Sequence, residues 1–337
     1  MAQRRTIATR LLLTLACACV VLGSIEAWLT FISPVKFMRI EAPEANARGG
    51  WYGLIHQPSS VPGLAYELVP GLDRDVAGVR VATNSLGMRD EEPLPRSTPG
   101  LFRILALGDS VAFGFRVPVE SGFCTVLEQR LATGAQESRR FEVLDTGVSG
   151  YSSRDEAAAL DGKWLALEPD LILLCYCLND PEIEPRQPLQ RHFAPTRWWQ
   201  HSSTLRFLVN RWEGRKQRTL GGGDYWRYLH APTEPSWKSV QSAFARIASR
   251  AQERKIPVVL AIFPMFGPAA WKDYPYREQH AQVAAEGARN GFVVLDLLPR
   301  FEQEEPQSLL IALDDSHPNA KGHAIAAEEL AKILPVH

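Results

Sequence analysis

The chain has 337 residues, with 37 Lys plus Arg against 38 Asp plus Glu and a net charge of −1. That balance argues against a nucleic-acid binder, which concentrates positive charge on one face. Hydrophobic residues at 45% and charged residues at 22% exclude a disordered chain and leave room for one large or two small globular domains.

Residues 1–10 form a short stub carrying Arg4, Arg5 and Arg10. They precede the apolar run 11–32, LLLTLACACVVLGSIEAWLTFI, whose single charge is Glu26. As a helix this run would span about 33 Å, against a bilayer hydrocarbon core of about 30 Å. The arginines on the short side predict an amino end in the cytoplasm and a single-pass chain whose remainder lies in the periplasm or outside the cell. Leu11 to Ile25 alone also has the size of a secretory signal followed by a passable cleavage site, Val21-Leu22-Gly23. The resumption of apolar residues after Glu26 favours an uncleaved signal anchor, and both readings export residues 33–337.

Residues 33–100 carry turn residues and little helical periodicity, so they read as an extension and linker. Leu64 to Val69 and Gly78 to Thr83 flank Pro70-Gly71-Leu72-Asp73 and are expected to pair as a hairpin. From residue 101 apolar runs alternate with amphipathic stretches. Strands are expected at Phe102–Leu107, Phe141–Leu144, Leu171–Cys177, Pro257–Phe263 and Phe292–Leu297. Helices are expected at Ser121–Leu131, Arg154–Leu167, Trp237–Arg254, Arg277–Arg289 and Ala320–Leu334. This alternation predicts a parallel sheet covered by helices on both faces, with ligands gathering at the carboxyl ends of the strands.

Residues 181–235 interrupt the rhythm with six prolines, a Gly221-Gly222-Gly223 run and Trp198, Trp199, Trp212 and Trp226. They read either as a surface cover packed by its own aromatics or as a substrate-binding lid. Five cysteines occur: Cys17 and Cys19 in the apolar run, and Cys124, Cys175 and Cys177 beyond it. No CxxC and no Cys/His pair supplies a zinc set, and Cys175 and Cys177 would share one strand face, too splayed to bridge. Buried free thiols are expected.

The candidate chemistry sits at strand ends. Ser110 closes Gly108-Asp109-Ser110 just past the first strand of the alternating region. There backbone N–H groups can stabilise an oxyanion forming beside it. Gly150 follows the second strand and Asn179 the third, offering a close-approaching N–H and a side-chain amide. Near the carboxyl terminus, Asp314-Asp315-Ser316-His317-Pro318-Asn319 precedes the final helix. His317 titrates near neutrality and suits a general base. An acid three residues earlier, Asp314, can fold back onto its second ring nitrogen and take the orienting role. Taken singly, each element reads more readily as a turn or a helix cap.

Taken together, Gly108-Asp109-Ser110, Gly150, Asn179 and Asp314-x-x-His317 resemble the SGNH/GDSL hydrolase family over about residues 101–337. The terminal DDSHPNAKGH is especially similar. Membrane-anchored bacterial members are the nearest likeness, their extension ending in a motif like Asn84-Ser85-Leu86-Gly87-Met88-Arg89-Asp90. The resemblance implies a three-layer α/β/α, flavodoxin-like fold on a five-stranded parallel sheet. It implies Ser110 as nucleophile, His317 as base, Asp314 as orienting acid, and Ser110, Gly150 and Asn179 as oxyanion-hole donors. It implies esterase chemistry without metal or organic cofactor on a small-molecule or glycan ester, O-acetyl esters of envelope carbohydrate among them. Residues 198–227 offer tryptophans for sugar stacking and arginines for anionic glycans. A cell-envelope O-acyltransferase would use the same residues, and a non-catalytic glycan-binding or scaffold protein could share the fold. The family often has Gly-Asn-Asp in its third block, where this chain has Leu178-Asn179-Asp180.

Overall fold

A computed structural model describes residues 2–33, 52–76, 78–134, 138–183, 189, 193, 197–313 and 315–334. The chain divides into two compact units, residues Met1–Arg39 with Ala194–Tyr225, and Ile40–Phe193 with Trp226–His337.

The larger unit is built on five parallel strands: β5 (Leu101–Leu107), β6 (Arg140–Asp145), β7 (Leu171–Tyr176), β8 (Val258–Ile262) and β9 (Val293–Asp296). Their spatial order is β6-β5-β7-β8-β9. The order reverses direction beside β5, which is where a doubly wound sheet opens a crevice at its carboxyl edge. The five expected strands are all present, with ends shifted by a residue or so.

Every residue of β7 and β8 is buried. Their near-continuous apolar runs follow from helices covering both faces. Alternate side chains point to opposite layers. On one side Leu105, Leu107, Ile172, Leu174 and Leu260 join Ala157 and Leu160 of α3 (Ser153–Gly162) and Trp237, Phe244 and Ile247 of α5 (Pro235–Arg254). Val283 of α6 (Arg277–Arg289) closes the same layer. On the other side Ile104, Ala106, Leu173, Cys175 and Val259 meet Phe123, Leu127 and Leu131 of α2 (Phe123–Gly134). Ile325, Ala326 and Leu330 of α7 (Ala320–Ile333) complete it. Burying one such Leu or Phe side chain contributes about 1.5–3 kcal/mol. Cys124, Cys175 and Cys177 are buried free thiols in this layer.

The extension does not pair as expected. β1 (His56–Pro58) pairs with β2 (Tyr66–Leu68), and β3 (Asp73–Val76) pairs with β4 (Val79–Ala82). The Pro70-Gly71 turn therefore joins two hairpins instead of closing one. The chain changes partners at this turn: Val69 N–H donates to Ile55 O on one side, while on the other Gly71 N–H donates to Asn84 O and Leu72 O accepts from the N–H of Thr83. The Thr83 Oγ1 donates to Val69 O and accepts from Leu72 N–H. Ile55, Leu64, Tyr66, Leu68, Val76, Val81 and Met88 then enter the same apolar layer as the sheet. Residues 52–100 thus fold onto the sheet's core.

In the smaller unit, helix α1 (Ala2–Ala27) runs into a widened helical turn at Trp28–Ile32. Its stretch Thr9–Ile32 is long and apolar enough to cross a membrane, and its apolar side chains are exposed. Among the described residues of the interruption expected between 181 and 235, α4 (Ser203–Thr219) follows a short turn at Trp198–His201.

Asp90, at the end of the extension, accepts the N–H of Asp145 at 2.9 Å. Burial pushes its carboxyl up to about 7, and repulsion from Glu128 and Glu142 adds to this against the hydrogen bonds it accepts. A carboxyl held above its unfolded value binds its proton more tightly when folded. Its stabilisation is whole below the ordinary carboxylate range and is lost as pH rises through about 7. Glu128 and Asp145 are also raised by burial and act in the same sense. The urea midpoint should therefore fall between pH 5 and pH 8, and Asp90→Asn should flatten that slope. An unchanged slope in the variant would remove Asp90 from this account.

Candidate active site

β5 delivers Gly108-Asp109-Ser110 to the carboxyl edge of the sheet. Gly108 is required by close approach: a Cβ there would lie 2.7 Å from that of Ala112 and 3.0 Å from that of Cys175. Gly147, on the neighbouring loop, is tighter still, since its Cβ would meet Phe113 N at 2.4 Å. Glycine at 108 thus lets the loop after β5 fold back on itself against β7, and glycine at 147 lets the loop after β6 lie against it.

The Ser110 hydroxyl lies 2.8 Å from His317 Nε2. On the far side of the ring, Nδ1 lies 2.6 Å from Asp315 Oδ1. The sequence expectation gave this role to Asp314, which lies outside the described residues. Among the described residues, the carboxylate on His317 is that of Asp315, two residues before the histidine. The local reason is that Asp315 Oδ1 also accepts the backbone N–H of His317 at 3.0 Å, a side-chain turn that seats the carboxylate beneath the ring. Arg116 lies 3.4 Å from the other carboxylate oxygen. Burial works against ionising Asp315, but the His317 hydrogen bonds and charge, with Arg116, outweigh it and hold the group below the usual carboxylate range. Phe115 stacks on the imidazole, with centroids 4.3 Å apart and planes 29° from parallel.

The other two expected residues come to the same edge. Asn179 Nδ2 donates to Asp109 Oδ2 at 2.7 Å. An amide has two N–H donors, so one bond to Asp109 orients the group and leaves the second for a substrate oxygen. Asp109 also accepts from the Val111 N–H at 2.9 Å and thus braces its own loop. Gly150 has φ of +78°, a conformation glycine adopts freely. Its loop is pinned by Tyr66, whose hydroxyl donates to Ser149 O at 3.0 Å. Tyr151 returns a hydrogen bond of 2.6 Å to Tyr66 O.

Asp109, Cys177 and Asp180 form a buried group whose oxygen and sulfur atoms lie within 4.8 Å of one another. These atoms are already engaged: Asp180 accepts from Cys177 N–H and the Ser153 hydroxyl, and Asp109 from Val111 and Asn179. Burial pushes the Cys177 thiol and the Asp180 carboxyl up, with Asp109 repelling both. A protonated thiol and satisfied acids make a brace for the Asn179 turn and a poor cation cradle.

Sequence reasoning missed Arg89. Its guanidinium is fully buried and donates to the carbonyls of Phe113, Gly114 and Val117, each at 2.8 Å. These carbonyls belong to the loop that runs from Ser110 through Phe115 and Arg116 to Val117. The signal was present in Asn84–Asp90, where Asn84 Oδ1 accepts the N–H groups of Leu86 and Met88 and turns the chain toward this loop. Phe115 carried no sequence signal.

A serine, a histidine and a carboxylate hydrogen-bonded in line at the carboxyl edge of a parallel sheet define the layout of an α/β serine hydrolase. The sequence profile of the GDSL-like lipase/acylhydrolase family matches residues 106–325, and the chain belongs to that family. It is an SGNH-type serine hydrolase of acyl esters. Among solved structures, it is similar to a putative lipolytic protein of the G-D-S-L family from Desulfitobacterium hafniense DCB-2. That likeness is 15% identical, covers 69% of this chain and 99% of the other, and has a TM-score of 0.42. It is also similar to Axe2, an acetylxylan esterase from Geobacillus stearothermophilus, at 16% identity over 70% of this chain and 95% of the other, with a TM-score of 0.46. No curated protein matches the chain.

Arg89→Met would strand the three carbonyls it serves and should cost roughly 3 kcal/mol of unfolding free energy. Arg89→Lys keeps the charge but replaces a planar fork by a point donor that cannot reach all three. It should lower kcat on a small ester more than it changes KM. Unchanged kcat and unchanged urea midpoints in both variants would show that the loop holds itself.

Proposed function

We propose that the protein is an exported, membrane-tethered esterase that works through an acyl-enzyme on Ser110. The observation that carries this reading is the hydrogen-bonded line from Ser110 through His317 to Asp315. Ser110 Oγ attacks the acyl carbon while His317 Nε2 takes its proton. The oxyanion is held by the N–H of Ser110, the N–H of Gly150 and the free N–H of the Asn179 amide. His317 then returns the proton to the leaving alcohol. Water, deprotonated by the same nitrogen, releases the acid. Asp315 holds the imidazole in the tautomer that presents a bare Nε2 to the serine and stabilises the cation that forms.

Tethering is supported by the exposed apolar helix at the amino terminus, and its orientation by the arginines before Leu11. That orientation puts the ester site beside the cell envelope. The proposed substrates are therefore acylated, notably O-acetylated, envelope carbohydrates.

A fluorophosphonate probe should label the wild type and leave Ser110→Ala unlabelled. Loss of one member of such a unit costs at least about four orders of magnitude in rate. Labelling retained in Ser110→Ala would move the nucleophile elsewhere. Asp315→Asn should then lose far more activity than Asp314→Asn, and the opposite ranking would return the orienting role to Asp314. Acetate release from acetylated glycans, measured with and without an acceptor sugar, checks the substrate class. Acetyl found only on the acceptor would make the enzyme a transferase.

A further inference from the structure

Glu26 is the one charge inside the apolar run, and it has three donors at one end of α4. Its carboxylate accepts the N–H of Ser203 at 2.5 Å, the N–H of Thr204 at 2.9 Å and the hydroxyl of Ser202 at 2.9 Å. Thr30, one turn further, shares a 2.8 Å hydrogen bond with the Ser203 hydroxyl. A carboxylate in a bilayer is costly unless it is partnered, and free N–H groups at the positive end of a helix are a suitable partner. The first turn of α4 is therefore fastened at the depth of residues 26–30, near the far end of the segment Thr9–Ile32.

The rest of α4 matches that location. Phe207, Leu208, Arg211, Trp212, Arg215 and Lys216 are exposed. At 100° per residue they occupy one continuous half of the helix. Leu208 and Trp212 are 54% and 62% exposed, large apolar surfaces that a soluble helix would bury. The cations stand over the aromatic rings: Arg211 lies 5.7 Å from the centre of Phe207, and Lys216 lies 5.5 Å from that of Trp212. Trp198, just before α4, is 77% exposed. Aromatic and aliphatic side chains interleaved with Lys and Arg are the composition of a helix lying in a bilayer interface, rings at headgroup level and cations among anionic phosphates.

We propose that α4 is an interfacial membrane-binding helix, held by Glu26 at the outer end of the anchor, whose exposed face binds anionic lipid. This rests on the single-pass anchoring proposed above and extends it. The anchor then has a spanning helix and a second helix along the surface, locked to each other. The tryptophans and arginines that the sequence suggested for glycan stacking face lipid instead.

The test uses the full-length protein reconstituted into vesicles of phosphatidylglycerol and phosphatidylcholine whose acyl chains are brominated close to the headgroup. Bromine quenches tryptophan only on contact. The share of quenching due to each ring is read by loss in Trp28→Phe and in the double variant Trp198→Phe, Trp212→Phe. Both should lose a clear share of the wild-type quenching. Reversing Arg211, Arg215 and Lys216 to Glu should remove the Trp198 and Trp212 share and leave that of Trp28. Hydrolysis of a small soluble ester, unchanged in these variants, shows that they fold. If Trp28 is quenched while Trp198 and Trp212 are not, the interfacial helix is overturned and the anchor stands. If Trp28 is not quenched, the anchor fails and takes the interfacial helix with it. Quenching unaffected by charge reversal overturns the anionic-lipid assignment. A shift of Trp212 emission with soluble anionic glycan, and none with lipid, overturns it in favour of a glycan surface.

Discussion

The catalytic edge of this enzyme depends on a buried guanidinium. A charge removed from water is costly unless its donors find partners, and Arg89 directs both terminal nitrogens to the carbonyls of Phe113, Gly114 and Val117, leaving only its Nε without a partner among the described residues. Those carbonyls lie in the loop that opens at Ser110 and carries Phe115 onto the face of His317. Arg89 itself comes from the extension, as does Tyr66, which pins the Gly150 loop. Two of the loops that form the site are thus held by residues outside the strand–helix alternation. The hairpins of residues 56–82 are best understood as the scaffold that brings these two side chains to the carboxyl edge.

Behind the site lies a second constraint of opposite sign. Asp109, Glu156 and Asp180 are all buried close together. Burial pushes Glu156 and Asp180 up, and each adds to the other's shift or to that of a neighbour. Neither Glu156 oxygen has a hydrogen-bond partner among the described residues. Such a group is expensive in stability, and it is placed where Asp109 and Asp180 hold the turn of Asn179 from below. His323 is the counter-example on the opposite face. Burial holds it down at about 3, so it stays neutral and accepts the N–H of Phe123 at the start of α2. It is a packing histidine and has no share in proton transfer.

Much of this was legible in the chain itself. The five strands announced themselves as short apolar runs because a parallel sheet covered on both faces has no polar side to dilute the pattern. Ser110, Gly150, Asn179 and His317 each fell at a strand's carboxyl end or in the last loop, where such a sheet assembles its chemistry. Residues 181–235 were harder, because the prolines and glycines on either side of the proline-free run 203–219 made the whole stretch read as one irregular insertion, and because the partner of the Ser202–Thr204 turn is the distant Glu26.

The sequence by itself determined the class of fold, because that depends on local periodicity, and it pointed to Ser110 and His317 through the joint order of several motifs that each, alone, could be a turn or a cap. Tertiary structure alone decided the rest. Which hairpins the extension forms follows from where Thr83 bonds, and pattern cannot see that. That Asp315 meets the ring of His317 turns on a single backbone hydrogen bond at the histidine. The importance of Arg89 lies in carbonyls more than twenty residues away, and a carbonyl has no sequence signature, since every residue carries one.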